Sequence, residues 1–228
     1  MSKFIIKGGN RISGTHQVPG NKNAALPMLA ATLLASAPVT LENIPDIRDV
    51  RQMVEGLKEL GAKVEGSPAE HRLTIDPREL NLPAKVSTKV CKSIRTSFLF
   101  AGPCLARCGR IQLGGAPGGD SIGRRRLDTH VNGFREMGGE TLFKQSGAIT
   151  LSCDGPLTAC DFVLDETSVM ATENLVMAAV MAVVAILMMS RVIYPSFKHV
   201  NFEKRGTAMA ILMAVIAICA FIFFPWIA

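Results

Sequence analysis

Two stretches of the chain share one pattern of apolar and polar positions. The segment Gly56-Leu-Lys-Glu-Leu-Gly-Ala-Lys-Val-Glu65 returns 77 residues later as Gly133-Phe-Arg-Glu-Met-Gly-Gly-Glu-Thr-Leu142. Each copy is typical of a helix that ends at a glycine and is followed by a strand. The residues after each copy, 71–75 and 147–151, predict a second short strand.

An apolar helix and a strand are predicted before each copy, at 24–35 and 39–41 and again at 96–106 and 110–113. The repeating unit is therefore helix, strand, helix, strand, strand. This order predicts an α/β fold built from a supersecondary block of fixed period.

A third copy of the unit begins at Thr172-Glu-Asn-Leu-Val-Met-Ala-Ala-Val-Met-Ala182. Where a turn and a strand are due, the apolar run 183–189 follows without a break. We expect residues 1–182 to form an α/β domain whose third repeat is truncated. Residues 183–228 are expected to form a hydrophobic tail.

Two segments near the end of the chain carry no charge, 174–190 and 207–228. A helix over the second segment would be about 33 Å long, which is enough to span a bilayer. The first segment predicts either a second transmembrane helix or a buried helix of the third repeat. Between them, 191–205 carries four Lys or Arg and one Glu, which favours a cytoplasmic position for this loop. If both segments span, residues 1–182 lie outside the cell, yet their N-terminus has no signal peptide pattern.

The composition indicates which classes of ligand the chain can bind. A formal net charge of +6 suits anionic ligands, but an aromatic content of 6% without basic, aromatic-rich stretches argues against nucleic acid. The six cysteines form no C-x-x-C pair and have no His at ligand spacing, so we expect no metal site. Free thiols are typical of the reducing cytoplasm, and we expect no cofactor.

Lys22 and Asn23 stand directly before the first apolar helix. Free N–H groups and the helix dipole favour an anion at such a position. The alternative is that Asn23 only caps the helix. Arg95, in Cys91-Lys-Ser-Ile-Arg-Thr-Ser97, holds the corresponding place in the second repeat, where solvation of a helix start is the alternative.

A glycine-rich stretch, Gly114-Gly-Ala-Pro-Gly-Gly-Asp-Ser-Ile-Gly-Arg-Arg-Arg-Leu-Asp-Thr-His130, combines an acid with three arginines. Glycine lets the backbone approach a ligand closely, and arginine matches phosphate or carboxylate oxygens bidentately. Asp120 near several cations is a candidate proton donor or acceptor. The alternative is an ordinary hairpin loop with a solvated charge run.

Four motifs together resemble the UDP-N-acetylglucosamine enolpyruvyl transferase family: K-N-A-A-L-P, K-S-I-R-T-S, G-G-A-P-G-G-D-S-I-G-x-R and T-S-V-M-A-T-E-N-L. The resemblance covers residues 1–182 and implies the inside-out barrel domain of that family. It also implies a cytoplasmic enzyme of peptidoglycan synthesis, which transfers enolpyruvate from phosphoenolpyruvate to the 3'-hydroxyl of UDP-N-acetylglucosamine.

The resemblance assigns expected roles to residues of this chain. Lys22 and Asn23 would contact phosphoenolpyruvate, and Arg95 and Arg125 would bind phosphates and the nucleotide sugar. Asp120 would be the general acid that protonates the methylene carbon, at a position where many members have cysteine. The following residues would line the nucleotide sugar: Arg126, Leu127, Asp128, Thr129, Glu166, Thr167, Ser168 and Val169. Some members have lysine in place of Glu166.

The sequence is compatible with two functions. The chain is an enolpyruvyl transferase by resemblance, but a truncated third repeat predicts that the chain alone is inactive. The alternative is a membrane-anchored fragment that binds a nucleotide sugar without catalysis. The segment 189–199 with the final apolar run also resembles the C-terminus of bacterial phosphatidylserine synthases, but the catalytic aspartate motif of that family is absent.

Overall fold

The computed structural model describes residues 4–5, 8–9, 13–119, 126–158 and 160–189, with side chains up to residue 180 in the last helix. The described helices are α1 (Lys22–Ala31), α2 (Arg48–Glu59), α3 (Thr88–Ser93), α4 (Ala101–Cys108), α5 (Asp128–Glu136) and α6 (Val169–Met189). The described strands are β1 (Val39–Glu42), β2 (Lys63–Ser67), β3 (Arg72–Asp76), β4 (Ala84–Val86), β5 (Arg110–Leu113), β6 (Gly139–Phe143) and β7 (Ile149–Cys153). Three 3-10 segments complete the described part of the chain: Thr32–Leu34, Pro68–Glu70 and Arg95–Phe100.

The predicted repeat is confirmed by the order and pairing of the strands. The first repeat forms an antiparallel sheet in the order β1-β3-β2, in which Leu41 pairs with Leu73. The second repeat forms the same arrangement as β5-β7-β6, in which Ile111 pairs with Leu151. In both repeats the last strand therefore lies between the other two.

Most element boundaries agree with the predictions to within two residues. The strand predicted at 110–113 is β5 itself, and the helix predicted at 96–106 is the 3-10 segment Arg95–Phe100 continued by α4. The first helix begins at Lys22 and not at residue 24, and its final turn is the 3-10 segment Thr32–Leu34.

One part of the second sheet was not predicted. The strand β4 pairs in parallel with β5 and has no counterpart among the described residues of the first repeat. It leads into α3, whose start is fixed because the carboxylate of Glu59 accepts a hydrogen bond from Ser87 N at 2.7 Å. The three residues Ala84-Lys-Val86 are too few to show a strand period, so only the pairing identifies them as a strand.

Glycines at one repeated position let successive repeats pack closely. Gly56 in α2 faces Phe100, and a Cβ atom there would lie 2.5 Å from the ring. Gly133 occupies the same place in α5 and faces Leu175 of α6, where a Cβ atom would overlap the side chain. In each case the second helix of one repeat receives a large side chain from the first helix of the next.

A continuous core underlies this packing. On α2 the buried residues Val50, Met53, Val54 and Leu57 recur at helical spacing and form one apolar face. The largest side chains that are fully buried are Phe98, Phe100 and Phe134. Because Phe98 and Phe100 belong to the segment between α3 and α4, the start of the second repeat is anchored in the core.

The helix α6 starts the third repeat, as predicted, and runs past the predicted junction at residue 182 as far as Met189. The chain divides into two compact units, Met1–Leu187 and Met188–Ala228. Across the residues that the structure describes, no helix is long and apolar enough to cross a membrane. The predicted transmembrane segment 207–228 and the basic loop 191–205 lie outside the described residues.

Candidate active-site cleft

A cleft of about 410 Å³ lies where the first helices of the three repeats begin. The repeat predicts part of this convergence, since Lys22 and Arg95 hold corresponding places in the first two repeats. The residues that line it at those starts are Lys22, Asn23, Arg95, Thr96, Val169 and Met170. The cleft therefore contains four of the predicted site residues: Lys22, Asn23, Arg95 and Val169.

Lys22 is held in this cleft by an ion pair. Its side-chain ammonium contacts the carboxylate of Asp49 in α2, which also lines the cleft. The Lys22 side chain is 51% exposed, so the pair is accessible to water and is weak. An anionic ligand can compete with Asp49 for the ammonium.

Asn23 does not cap α1, so the alternative interpretation of this residue is wrong. The cap is Asn21, whose side-chain oxygen accepts hydrogen bonds from Asn23 N at 2.7 Å and Ala24 N at 3.2 Å. These two N–H groups are therefore already satisfied. A ligand at this end of α1 would be bound through side chains more than through the first backbone N–H groups.

Arg95 links the second repeat to the end of the glycine-rich stretch. Its guanidinium Nη2 donates a hydrogen bond to the carbonyl oxygen of Arg126 at 3.1 Å. Arg95 is half-buried at the start of its 3-10 segment and lines the cleft beside Thr96. A planar cation at this place is suited to phosphate or carboxylate oxygens.

The first limb of the glycine-rich stretch is fastened to α3. Gly118 N donates to Cys91 O at 2.9 Å, and Gly119 N donates to Lys92 O at 3.2 Å. A side chain at Gly118 would overlap the carbonyl of Lys92, so this close approach requires glycine. Gly119 lines the cleft, and Asp120 and Arg125 lie outside the described residues.

The glycine-rich stretch connects β5 to α5, so the alternative interpretation of it as a hairpin loop is wrong. At the start of α5, Arg126 Nε donates to Asp128 at 2.8 Å, and Arg126 Nη2 lies 3.7 Å from Asp165. The hydrogen bond to Asp128 raises the pKa of Arg126, and the negative charges of Asp165 and Glu166 raise it further. Leu127 is half-buried and packs against the core.

Asp165 was missed by the sequence analysis, although its neighbour Glu166 was predicted. Its carboxylate accepts a hydrogen bond from the buried Thr129 hydroxyl at 2.8 Å and faces Arg126. The structure thus brings together 126–129 and the segment before α6. No local pattern marks this contact, because the two segments are separated by more than 30 residues.

The segment before α6 contains residues of two kinds. Glu166 and Thr167 are exposed. Ser168 caps the helix, since its hydroxyl accepts a hydrogen bond from Ala171 N at 3.2 Å and its carbonyl accepts one from Thr172 N at 3.0 Å. Val169 follows and lines the cleft with an exposed side chain.

A buried polar pair lies behind the cleft. The side chain of Asn174 donates to Phe98 O at 2.9 Å and accepts from Gly102 N at 2.7 Å. Its amide nitrogen also lies 3.3 Å from Nδ1 of His130. Burial lowers the pKa of His130 to about 4, and the nearby charge of Arg95 contributes to this shift. The imidazole is therefore neutral at pH 7.

Comparison with known proteins gives one family. The family model described as EPSP synthase (3-phosphoshikimate 1-carboxyvinyltransferase) matches residues 6–201. A UDP-N-acetylglucosamine 1-carboxyvinyltransferase of Bradyrhizobium diazoefficiens is 46% identical over 181 residues, which are 79% of this chain and 40% of that protein. The protein of the same name from Treponema pallidum is 43% identical over 182 residues, which are 80% and 41% of the two chains.

Solved structures agree with this result. The enolpyruvyl transferase NikO from Streptomyces tendae superimposes with a TM-score of 0.59 and 26% identity, over 77% of this chain and 39% of that one. An EPSP synthase from Acinetobacter baumannii gives a TM-score of 0.59 at 16% identity, over 72% and 37%. The chain thus spans about two fifths of the length of the relatives that it matches.

Proposed function

The chain belongs to the EPSP synthase family, and from this premise we propose that its cleft takes part in enolpyruvyl transfer from phosphoenolpyruvate to the 3'-hydroxyl of UDP-N-acetylglucosamine. The observation that carries the proposal is the meeting of Lys22, Asn23 and Arg95 in one cleft. The names of relatives that are 43–46% identical support this pair of substrates over others. The reaction would serve peptidoglycan synthesis in the cytoplasm.

In this proposal, phosphoenolpyruvate binds at the start of α1 and of the segment Arg95–Phe100. Lys22 leaves Asp49 to meet one anionic group, and Asn23 provides an amide for a further hydrogen bond. Arg95 lines the same cleft and is suited to a phosphate oxygen. Three cations, Lys22, Arg48 and Arg95, line the cleft against two acids, Asp49 and Glu173. The excess of positive charge is complementary to a small trianion such as phosphoenolpyruvate.

The nucleotide sugar would bind beside the start of α5. Arg125, Arg126, Leu127, Asp128 and Thr129 would line it on one side, and the segment Glu166–Val169 would line it on the other. The hydrogen bond from Thr129 to Asp165 and the ion pair from Arg126 to Asp165 support this arrangement, because they hold the two segments together.

We assign the general acid to Asp120, which would protonate the methylene carbon of phosphoenolpyruvate. The anchored limb Gly118–Gly119, which reaches the cleft, directly precedes this residue in the sequence. A carboxylic acid donates a proton but does not form the thioether that a cysteine forms with an epoxide mimic of phosphoenolpyruvate. The protein should therefore resist such epoxides, and Asp120→Cys should make it sensitive. An unchanged response of that variant would contradict the assignment.

Calorimetric titration with phosphoenolpyruvate and with UDP-N-acetylglucosamine tests the proposed binding. We expect Lys22→Ala to weaken binding of phosphoenolpyruvate about tenfold or more, because a charge-assisted hydrogen bond is lost. Lys58→Ala is the matched control, since Lys58 is equally exposed and pairs with Glu55 on the far part of α2. Equal affinities of the two variants would contradict the proposal.

Release of phosphate from phosphoenolpyruvate in the presence of the nucleotide sugar separates catalysis from binding alone. The alternative function, a membrane-anchored protein that only binds the nucleotide sugar, predicts binding without phosphate release. We further propose that residues 207–228 form a membrane segment, on the basis of 22 consecutive uncharged residues.

A further inference from the structure

One buried hydroxyl at the cleft has no hydrogen-bond partner among the described residues. It belongs to Thr96, the second residue of the segment Arg95–Phe100, which lines the cleft next to Arg95. The hydroxyls of neighbouring residues are satisfied, since Ser93 donates to Gln52 at 2.9 Å and Ser97 donates to Ile94 O at 2.8 Å. Thr96 is therefore an exception that lies at the candidate site.

A buried hydroxyl without a hydrogen bond lowers the stability of the protein. A valine at this position would have almost the same shape and would avoid that loss. The Thr96 side chain lines the cleft, where Arg95 already supplies a positive charge. A hydroxyl beside a guanidinium is well placed to donate to an oxygen that the guanidinium attracts.

We propose that Thr96 is a further substrate-binding residue of the cleft, and that its hydroxyl donates a hydrogen bond to a phosphoryl oxygen bound by Arg95. This inference rests on the proposed function, because that function supplies the anionic ligand. Phosphoryl oxygens occur in both proposed substrates. The ligand that depends on the Thr96 hydroxyl is identified by titrating phosphoenolpyruvate and UDP-N-acetylglucosamine separately.

The test compares Thr96→Val, Thr96→Ser and the wild-type chain at full length. Thr96→Val should raise the thermal unfolding midpoint of the free protein by about 2–4 °C, since it removes an unsatisfied group. It should weaken binding of one of the two ligands about five- to tenfold. Thr96→Ser keeps the hydroxyl and should bind within about twofold of the wild type.

Thr32→Val is the control for the loss of a buried threonine hydroxyl. Thr32 is buried, and its hydroxyl donates to Leu29 O at 2.7 Å. This variant should lower the unfolding midpoint and leave both affinities unchanged, which is the opposite of the result expected for Thr96→Val.

Two results would overturn the inference in distinguishable ways. If Thr96→Val binds both ligands like the wild type while Arg95→Ala binds them more weakly, Thr96 has no role in binding and the proposed function stands. If the wild-type chain binds neither ligand, both the inference and the proposed function are wrong.

Discussion

At the scale of single residues, Asn174 joins α6 of the third repeat to three elements of the second repeat. Its side chain bonds to Phe98 and Gly102 of the second repeat and contacts His130 of α5, while its backbone belongs to α6. Asn174 is fully buried, so water cannot replace these hydrogen bonds. The amide of Asn174 therefore adds buried hydrogen bonds to the apolar packing that positions α6.

We predict that Asn174→Leu lowers the free energy of unfolding by about 3 kcal/mol, because Phe98 O and Gly102 N are left buried without this partner. Urea denaturation measures this loss. The control is Asn81→Leu, since Asn81 is exposed and donates one hydrogen bond to Glu59 O at 3.1 Å. We expect that variant to lose about 1 kcal/mol or less. Equal losses in the two variants would show that burial of the amide is unimportant.

His130 makes the stability of the fold depend on pH. Burial and the Arg95 charge lower its pKa from 6.5 to about 4 in the folded protein, so the unfolded chain binds the proton more tightly. Stability from this residue is complete above about pH 6.5 and is lost as the pH falls toward 4, by at most about 3 kcal/mol.

The matched variant for this prediction is His130→Gln, which does not titrate in this range. The difference in unfolding free energy between the wild type and this variant should shrink by about 2 kcal/mol between pH 7 and pH 4.5. Urea denaturation at several pH values measures it. Parallel stability profiles for the two proteins would mean that His130 is not kept neutral by the fold.

At the scale of elements, the repeat was predictable because each unit carries its own local pattern. The helix-then-glycine pattern of α2 and α5 and the short apolar strands after them give the order of elements without tertiary information. The sequence pattern could not show why glycine recurs at positions 56 and 133. These glycines make room for Phe100 and Leu175 of the next repeat.

The parts that the sequence did not predict depend on contacts between distant segments. The strand β4 is defined by its pairing with β5, and the ion pair of Lys22 depends on how α1 lies against α2. The same holds for Asp165, which meets Arg126 and Thr129 only in the folded chain. Motifs located Lys22 and Arg95 along the sequence, but only the structure shows that Lys22 pairs with Asp49 and that Arg95 donates to the carbonyl of Arg126.

The anchored limb of the glycine-rich stretch gives a prediction at this scale. Gly118→Ala would place a methyl group against the Lys92 carbonyl and break the bonds from Gly118 and Gly119 to α3. We expect a loss of about 1–3 kcal/mol in unfolding free energy. We also expect weaker binding of phosphoenolpyruvate, because the limb that borders the cleft is displaced.

Gly115→Ala is the control in the same limb. A methyl group there would lie 3.2 Å from the Thr88 methyl carbon, which belongs to a side chain and can move slightly. This variant should lose less than about 1 kcal/mol and should keep its affinity for phosphoenolpyruvate. Similar losses in both variants would argue that the close approach at Gly118 has no special role.

At the scale of the whole molecule, the cleft is a product of the repeat. Lys22, Arg95 and Val169 stand 73 and 74 residues apart along the chain, and each lies at or next to the start of the first helix of its repeat. Stacking three copies of one unit brings these starts to one place. Two of the three starts carry a cation, Lys22 and Arg95, so the repeat concentrates positive charge where an anionic substrate would bind.

The last prediction concerns the hydrophobic tail, residues 183–228. If 207–228 spans a bilayer, the purified chain should float with liposomes in a density gradient. Val215→Asp combined with Ile218→Asp should abolish flotation, because each acid near the centre of a span costs about 2.5–3.5 kcal/mol. Val215→Leu combined with Ile218→Leu keeps the segment apolar and should float like the wild type. Flotation of the double Asp variant, or a wild-type chain that stays unbound, would contradict a membrane segment at the end of this chain.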